Sequence, residues 1–179
     1  IDQFSHRQVG KHLPLAAGVG YALNYTKSAK IVLCFLGEGA VNIGAFHETF
    51  NVAALWKLPI IFICENNRYG MGTPVERASA IYEVFKRGCS YDMHREQVDG
   101  MDVLAVYDTV KKSVDEVREL KMPHLIEAIT YRFRGHSMAD PAHYRTDEEL
   151  EEHKKRDPVL TFSEKLIKEG ILTQESLKE

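Results

Sequence analysis

The chain has 179 residues, 44 % hydrophobic and 27 % charged, enough to bury one substantial core and too apolar for a disordered segment. Its net charge of −3 comes with no basic run interleaved with aromatics, so nothing points to nucleic acid or an anionic membrane as a partner. The longest apolar runs are strand length, which excludes a spanning helix. Residues Ser5-His-Arg-Gln-Val-Gly10 form a polar approach to a first helix that Pro14 can start, with Leu15, Ala16, Val19, Ala22 and Leu23 as its apolar face.

Two apolar strands follow, Ile31-Val-Leu-Cys-Phe-Leu36 and Pro59-Ile-Ile-Phe-Ile-Cys-Glu65. Between them Ile43, Phe46, Phe50, Ala53, Ala54 and Lys57 recur near helical spacing, so the unit reads strand, glycine turn, helix, strand, with the length a parallel crossover needs. The first strand delivers Gly37-Glu38-Gly39-Ala40 and the second Asn66-Asn67. Ligands of parallel sheets sit at strand carboxyl ends, where glycines let backbone N–H groups approach a phosphate. Glu38 and Asn67 offer hard oxygens there for a small divalent cation.

Behind Asn67 lies a glycine-bearing loop, Arg68-Tyr-Gly-Met-Gly-Thr-Pro74, that can turn a carbonyl toward a cation. The pattern then predicts a helix over 78–87 broken by Gly88, a short strand at 95–98, a turn at Asp99-Gly100, and a helix from Asp102 to about Leu120. Val103, Val106, Val110, Val114 and Val117 mark that helix's buried side. A strand over 124–133 empties into the most polar loop of the chain, 134–145, where His136, His143, Asp140, Arg134 and Arg145 gather beside Arg132. A charged helix over 147–156 ends at Asp157-Pro158, and the tail gives an amphipathic helix, a stop at Gly170 and the beginning of another helix at Thr173. Cys34 and Cys64 fall in apolar strands and Cys89 in a loop, without paired metal-ligand spacing, so free thiols in a reducing interior are expected.

The Gly-acid-Gly turn followed by Asn-Asn resembles the thiamin diphosphate motif. The words Ala53-Ala-Leu-Trp-Lys-Leu-Pro59, Glu65-Asn-Asn-Arg-Tyr-Gly-Met-Gly-Thr73, Val98-Asp-Gly100 and Tyr131-Arg-Phe-Arg-Gly-His-Ser-Met-Ala-Asp-Pro141 resemble the E1 alpha subunit of 2-oxoacid dehydrogenase complexes, most of all the pyruvate dehydrogenase branch. The resemblance runs from about Leu13 almost to the end. It implies an α/β, three-layer thiamin diphosphate-binding fold with a mainly parallel sheet and helices on both faces. A single domain over 1–179 would hold the diphosphate and metal side of the cofactor, without the family's amino-terminal segment.

By the same resemblance Glu38, Asn67 and the Tyr69 carbonyl would ligate Mg²⁺, and Val9, Gly37, Glu38, Gly39, Ala40, Asn67, Tyr69, Gly70, Arg132 and His136 would contact thiamin diphosphate. His136 is the catalytic candidate of this chain. The implied reaction is oxidative decarboxylation of a 2-oxoacid, pyruvate first, with acyl transfer to the lipoyl domain of E2. The implied partner is an E1 beta subunit in an α₂β₂ heterotetramer, which contributes the glutamate at the aminopyrimidine. Bacterial cytoplasm, mitochondrial matrix or plastid are the implied locations. Ser137 matches one serine phosphorylated in animal pyruvate enzymes, and His143 falls near the place of another. Glu38 departs from the commoner aspartate, a feature shared with branched-chain members. Branched-chain 2-oxoacid and acetoin dehydrogenases are the near alternatives; a non-catalytic phosphate-binding or structural interaction subunit is the alternative of another class.

Overall fold

A computed structural model of the protein describes residues 9–140 and 144–177. The sequence-predicted stretch 5–8 and His143 lie outside them. The elements in chain order are α1 (His12–Tyr25), β1 (Val32–Gly37), a 3-10 turn (Glu38–Ala40), α2 (Gly44–Leu55), β2 (Ile60–Asn66), β3 (Tyr69–Gly70), β4 (Thr73–Pro74), α3 (Val75–Ala78), a 3-10 helix (Val84–Tyr91), β5 (His94–Asp99), α4 (Val103–Leu120), β6 (His124–Ile129), α5 (Asp147–Lys154) and α6 (Pro158–Lys168).

Four strands form a wholly parallel sheet in the order β1-β2-β6-β5, and β3 and β4 make a small antiparallel hairpin beside it. β2 is central, and its alternate side chains serve opposite faces. Ile60, Phe62 and Cys64 join the core under α1, α2 and the 3-10 helix, with Phe46, Phe50 and Leu13. Ile61 and Ile63 join Val98, Ile126 and Val117 under α4. This is the three-layer α/β arrangement expected. α4 packs over β5, β2 and β6, and Leu33 and Phe35 of β1 stay half exposed. Burial pushes the Cys34 thiol up to about 12, and burial with nearby carboxylates pushes Cys64 up, so both are inert, as structural thiols are.

Several sequence expectations are corrected. The α-helix expected over 78–87 does not form: α3 ends at Ala78, residues 79–83 are irregular, and a 3-10 helix begins at Val84. Asn42 Nδ2 takes the Ala78 carbonyl at 3.0 Å, and the Val84 and Phe85 N–H groups are drawn to the Glu127 carboxylate at 3.0 and 3.1 Å, so no i→i−4 ladder forms there. The strand expected to reach Phe133 ends at Ile129, where its neighbours also end, β2 at Asn66 and β5 at Asp99; beyond it Arg145 takes the carbonyls of Arg132 and Arg134. The buried side of α1 is Leu13, Ala16, Ala17 and Gly20, whereas Leu15 and Val19 are exposed. Val103 likewise faces outward on α4, whose start Asp102 caps by accepting from Leu104 and Ala105 N–H at 3.0 Å. At Thr173 the expected helix start is a single turn through Leu177.

At the amino ends of the sheet His94 and His124 are register partners on β5 and β6. Burial, and then the neighbouring His94, push His124 down to about 4, so its ring is neutral at pH 7.

Candidate functional site

Parallel pairing sets Gly37 opposite Glu65 and Asn66 opposite Ile129, so the carboxyl ends of β1, β2 and β6 open on one side. The 3-10 turn then folds Glu38 inward until it is 3 % exposed. Removal from water raises its carboxyl above the ordinary range; backbone hydrogen bonds and the charge of Arg132 oppose that rise. Asn67 follows β2 directly, and its Nδ2 lies 3.5 Å from Glu38 Oε2, joining positions 29 apart in sequence. Its Oδ1 accepts from Tyr69 N–H at 3.3 Å, so the amide must turn over for its oxygen to face a cation.

The β3–β4 hairpin closes over this corner. Arg68 and Met71 take positive φ of 67° and 58° to make it, and a Cβ at Gly39 would meet only Gly70 Cα, at 3.7 Å. No positive φ is present at Gly37, Gly39 or Gly70, and no side chain of the described residues would clash with a Cβ at any of them. Neither backbone strain nor packing explains three glycines here. Open space at the mouth of the sheet does, and it is what a phosphate-sized group held by backbone N–H groups requires.

Arg132 ties the loop after β6 to the hairpin. Its Nη2 donates to Met71 O at 2.8 Å and Tyr144 Oη at 3.1 Å, and its Nη1 faces His136 Nδ1 at 3.4 Å. His136 N–H donates to Asp140 Oδ2 at 2.7 Å, and Tyr144 Oη–H to the same oxygen at 2.8 Å. Arg145 lies over the rings of Tyr69, Tyr131 and Tyr144, with its carbon 5.1–5.7 Å from their centres. An arginine always donates, so Nδ1 of His136 accepts and Nε2 carries the ring proton. His136 itself is exposed, as is Ser137.

The expected residues Gly37, Glu38, Gly39, Ala40, Asn67, Tyr69, Gly70, Arg132 and His136 therefore occupy one end of the sheet. Val9 is exposed in the turn before α1, which reaches the same end through Gly10 against Ile43 and through His12 Nε2, 2.7 Å from Phe35 O. The sequence reading missed Glu127 of β6. This fully buried carboxylate accepts from Asn66 Nδ2 at 2.6 Å, Val84 N–H, Phe85 N–H and Gln97 Nε2, and so fixes the residue before Asn67. A lone acid in an otherwise apolar strand buried on both faces was the available signal.

A family model described as "Dehydrogenase E1 component" matches residues 4–179. The chain belongs to that family. It is 43 % identical over 174 residues to a pyruvate dehydrogenase E1 component subunit alpha of Rickettsia bellii, covering 97 % of this chain and 53 % of the relative. A Rhizobium meliloti protein of the same name is 43 % identical over 175 residues, covering 97 % and 50 %. The somatic mitochondrial form of Bos taurus is 46 % identical over 173 residues, covering 96 % and 44 %. This E1 chain thus spans about half the length of these curated relatives. Among its described residues no helix is long and apolar enough to cross a membrane.

Proposed function

We propose that this chain is the diphosphate- and metal-holding part of an E1 alpha subunit that decarboxylates pyruvate with thiamin diphosphate and Mg²⁺. The observation that carries the reading is Glu38, a buried carboxylate facing the Asn67 amide beneath three glycines that neither φ nor packing demands. Similarity to relatives named as pyruvate dehydrogenase subunits supports pyruvate ahead of branched 2-oxoacids or acetoin.

Thiamin diphosphate, when bound, supplies the electron sink for loss of CO₂ from the 2-oxoacid. The chain's own residues supply placement and charge. Glu38 and the turned-over Asn67 amide, with the Tyr69 carbonyl, give an all-oxygen donor set, which suits Mg²⁺. Backbone groups at Gly37, Gly39, Ala40 and Gly70 would line the diphosphate space, and Val9 would border it from the turn before α1. Arg132 Nε, buried and without a hydrogen-bond partner among the described residues, adds a donor near this mouth. His136 would hold or relay a proton at the reacting end through its ring, with Nδ1 facing Arg132 and its backbone N–H held by Asp140.

An E1 beta partner would complete the site and the lipoyl domain of E2 would receive the acyl group. Exposed Leu15, Val19, Tyr21 and Trp56 along α1 and the end of α2 support burial against another subunit; Ala16, Phe46, Phe50 and Ala53 already pack in this chain's own core. Relatives that are bacterial or mitochondrial, with buried reduced thiols, support a reducing compartment.

The test combines binding and turnover. Calorimetric titration of the assembled alpha–beta protein should show saturable, Mg²⁺-dependent thiamin diphosphate binding that Glu38→Ala and Asn67→Ala each abolish, with circular dichroism unchanged. The assembly should decarboxylate pyruvate faster than branched 2-oxoacids or acetoin. Normal affinity in either variant would overturn the metal assignment, and a branched-chain preference would overturn the substrate.

A further inference from the structure

The opposite end of the sheet carries a second constellation that the reaction does not use. His94 opens β5, His124 opens β6 beside it, and Glu116 reaches down from α4, with one potential ligand atom from each lying within 4.8 Å of the others. His94 Nδ1 lies 2.8 Å from Glu116 Oε2, and His124 Nδ1 lies 3.9 Å from that same oxygen. The two rings are 4.4 Å apart. Ligands about 2.0–2.1 Å from a tetrahedral zinc ion stand roughly 3.3 Å from one another, so changes of about 1.5 Å or less in the separations bring this cluster to that geometry.

The His94–Glu116 contact has the spacing of an ion pair, and His124 brings a third potential ligand to the same oxygen. Glu116 Oε2 is buried, lies 2.8 Å from His94 Nδ1, and has no hydrogen-bond partner among the described residues. His124 is 1 % exposed, and its Nε2 is also buried without a partner. A buried carboxylate oxygen within about 4 Å of the Nδ1 atoms of two imidazoles is an arrangement that a cation completes. Two nitrogens and one oxygen suit zinc and its neighbours far better than Mg²⁺. The adjoining cation is Lys112, whose Nζ lies 4.0 Å from the other oxygen, Oε1, and 3.8 Å from Glu96 Oε2. Glu96 also accepts from Ser113 Oγ at 3.3 Å, and the Lys112 side chain is 56 % exposed, free to swing into water.

The geometry points to a zinc-class ion site made by His94, Glu116 and His124, which pins α4 to β5 and β6 at the end of the sheet remote from Glu38. Water fills the fourth position, since His94 is partly open to solvent. The ion stabilises the fold by binding it in preference to the unfolded chain.

Co²⁺ titration of the purified full chain tests this, with excess Mg²⁺ present to occupy the oxygen site at Glu38 and Asn67. The expected result is one equivalent of Co²⁺ with visible d–d absorption of a low-coordinate nitrogen-ligated ion, displaced by Zn²⁺, and a thermal midpoint raised by Zn²⁺. His94→Ala, at a partly exposed position, and the near-isosteric Glu116→Gln should each weaken binding at least about tenfold, the lower bound for loss of a supporting contact at a metal site, and remove the thermal shift. Absence of stoichiometric uptake, equal binding by parent and both variants, or uptake abolished by Glu38→Ala would each overturn the site.

Discussion

Two buried carboxylates, Glu127 on β6 and Glu38 in the turn past β1, lie on either side of β2 and differ in how they are satisfied. Glu127 is fully buried on β6 and meets four donors, two from backbone and two from side chains, drawn from β2, β5 and the 3-10 helix. Glu38 is 3 % exposed just past β1; backbone N–H groups of Glu38 and Asn67 hydrogen-bond to it, and among the described residues its side-chain donor is one amide at 3.5 Å. The chain surrounds the first charge with short hydrogen bonds and leaves the second with backbone donors and one long side-chain contact, a less complete set. A buried carboxylate with its side-chain donors in place is structure; one held out of water beside an amide that has yet to turn over is prepared for something more.

The largest expected effect tests the complete one. Glu127→Ala strands Asn66 Nδ2, Gln97 Nε2 and two backbone N–H groups, and removing one side of a buried charged network costs about 3–5 kcal/mol. Urea unfolding should show a loss of that order, and Glu127→Gln, which keeps one accepting oxygen, a smaller one. A loss below about 1 kcal/mol for the alanine variant would mean that water replaces the carboxylate, and the contrast with Glu38 would collapse.

The same contrast explains what could be read from the sequence. The βαβ unit was legible because the runs at 31–36 and 59–65 are continuously apolar, although only the second is buried on both faces, and the spacing of Glu38 and Asn67 followed from where those runs stop. The predicted helix over 78–87 failed because Glu127, more than forty positions away in sequence, takes the N–H groups of Val84 and Phe85. No local pattern carries that information. Nor did any pattern show Tyr144 and Asp140 clamping His136, since a polar loop reads as solvated until a fold closes it. His94, Glu116 and His124 come from two strands and a helix, so only the register of β5 against β6 brings them together.

At the incomplete end the next effect in size is on turnover. In the assembled alpha–beta protein, His136→Ala should lower the decarboxylation and acyl-transfer rate by roughly 10²-fold, the low end for a positioned proton donor. Thiamin diphosphate affinity should stay near the parent value, because the amide and carboxylate at Asn67 and Glu38 are untouched. Steady-state rates at saturating cofactor measure this, and an unchanged rate would make His136 a surface histidine held by Asp140 for loop geometry alone.

The smallest effect is the sharpest separator of the two carboxylates. Glu38→Gln keeps the volume and an oxygen to accept from Asn67 Nδ2, but removes a charge that burial disfavours. Without ligands, at neutral pH, the variant should match or exceed the parent in stability, by about 1 kcal/mol, the gain typical when a strained functional group is relaxed. With Mg²⁺ and thiamin diphosphate added, the order should reverse, since only the parent gains the stabilisation that binding confers. Thermal midpoints with and without both ligands read the two signs in one experiment. A Glu38→Gln variant that loses as much unliganded stability as Glu127→Ala would place Glu38 among the structural carboxylates, and the corner beneath the glycines would then need another cation ligand.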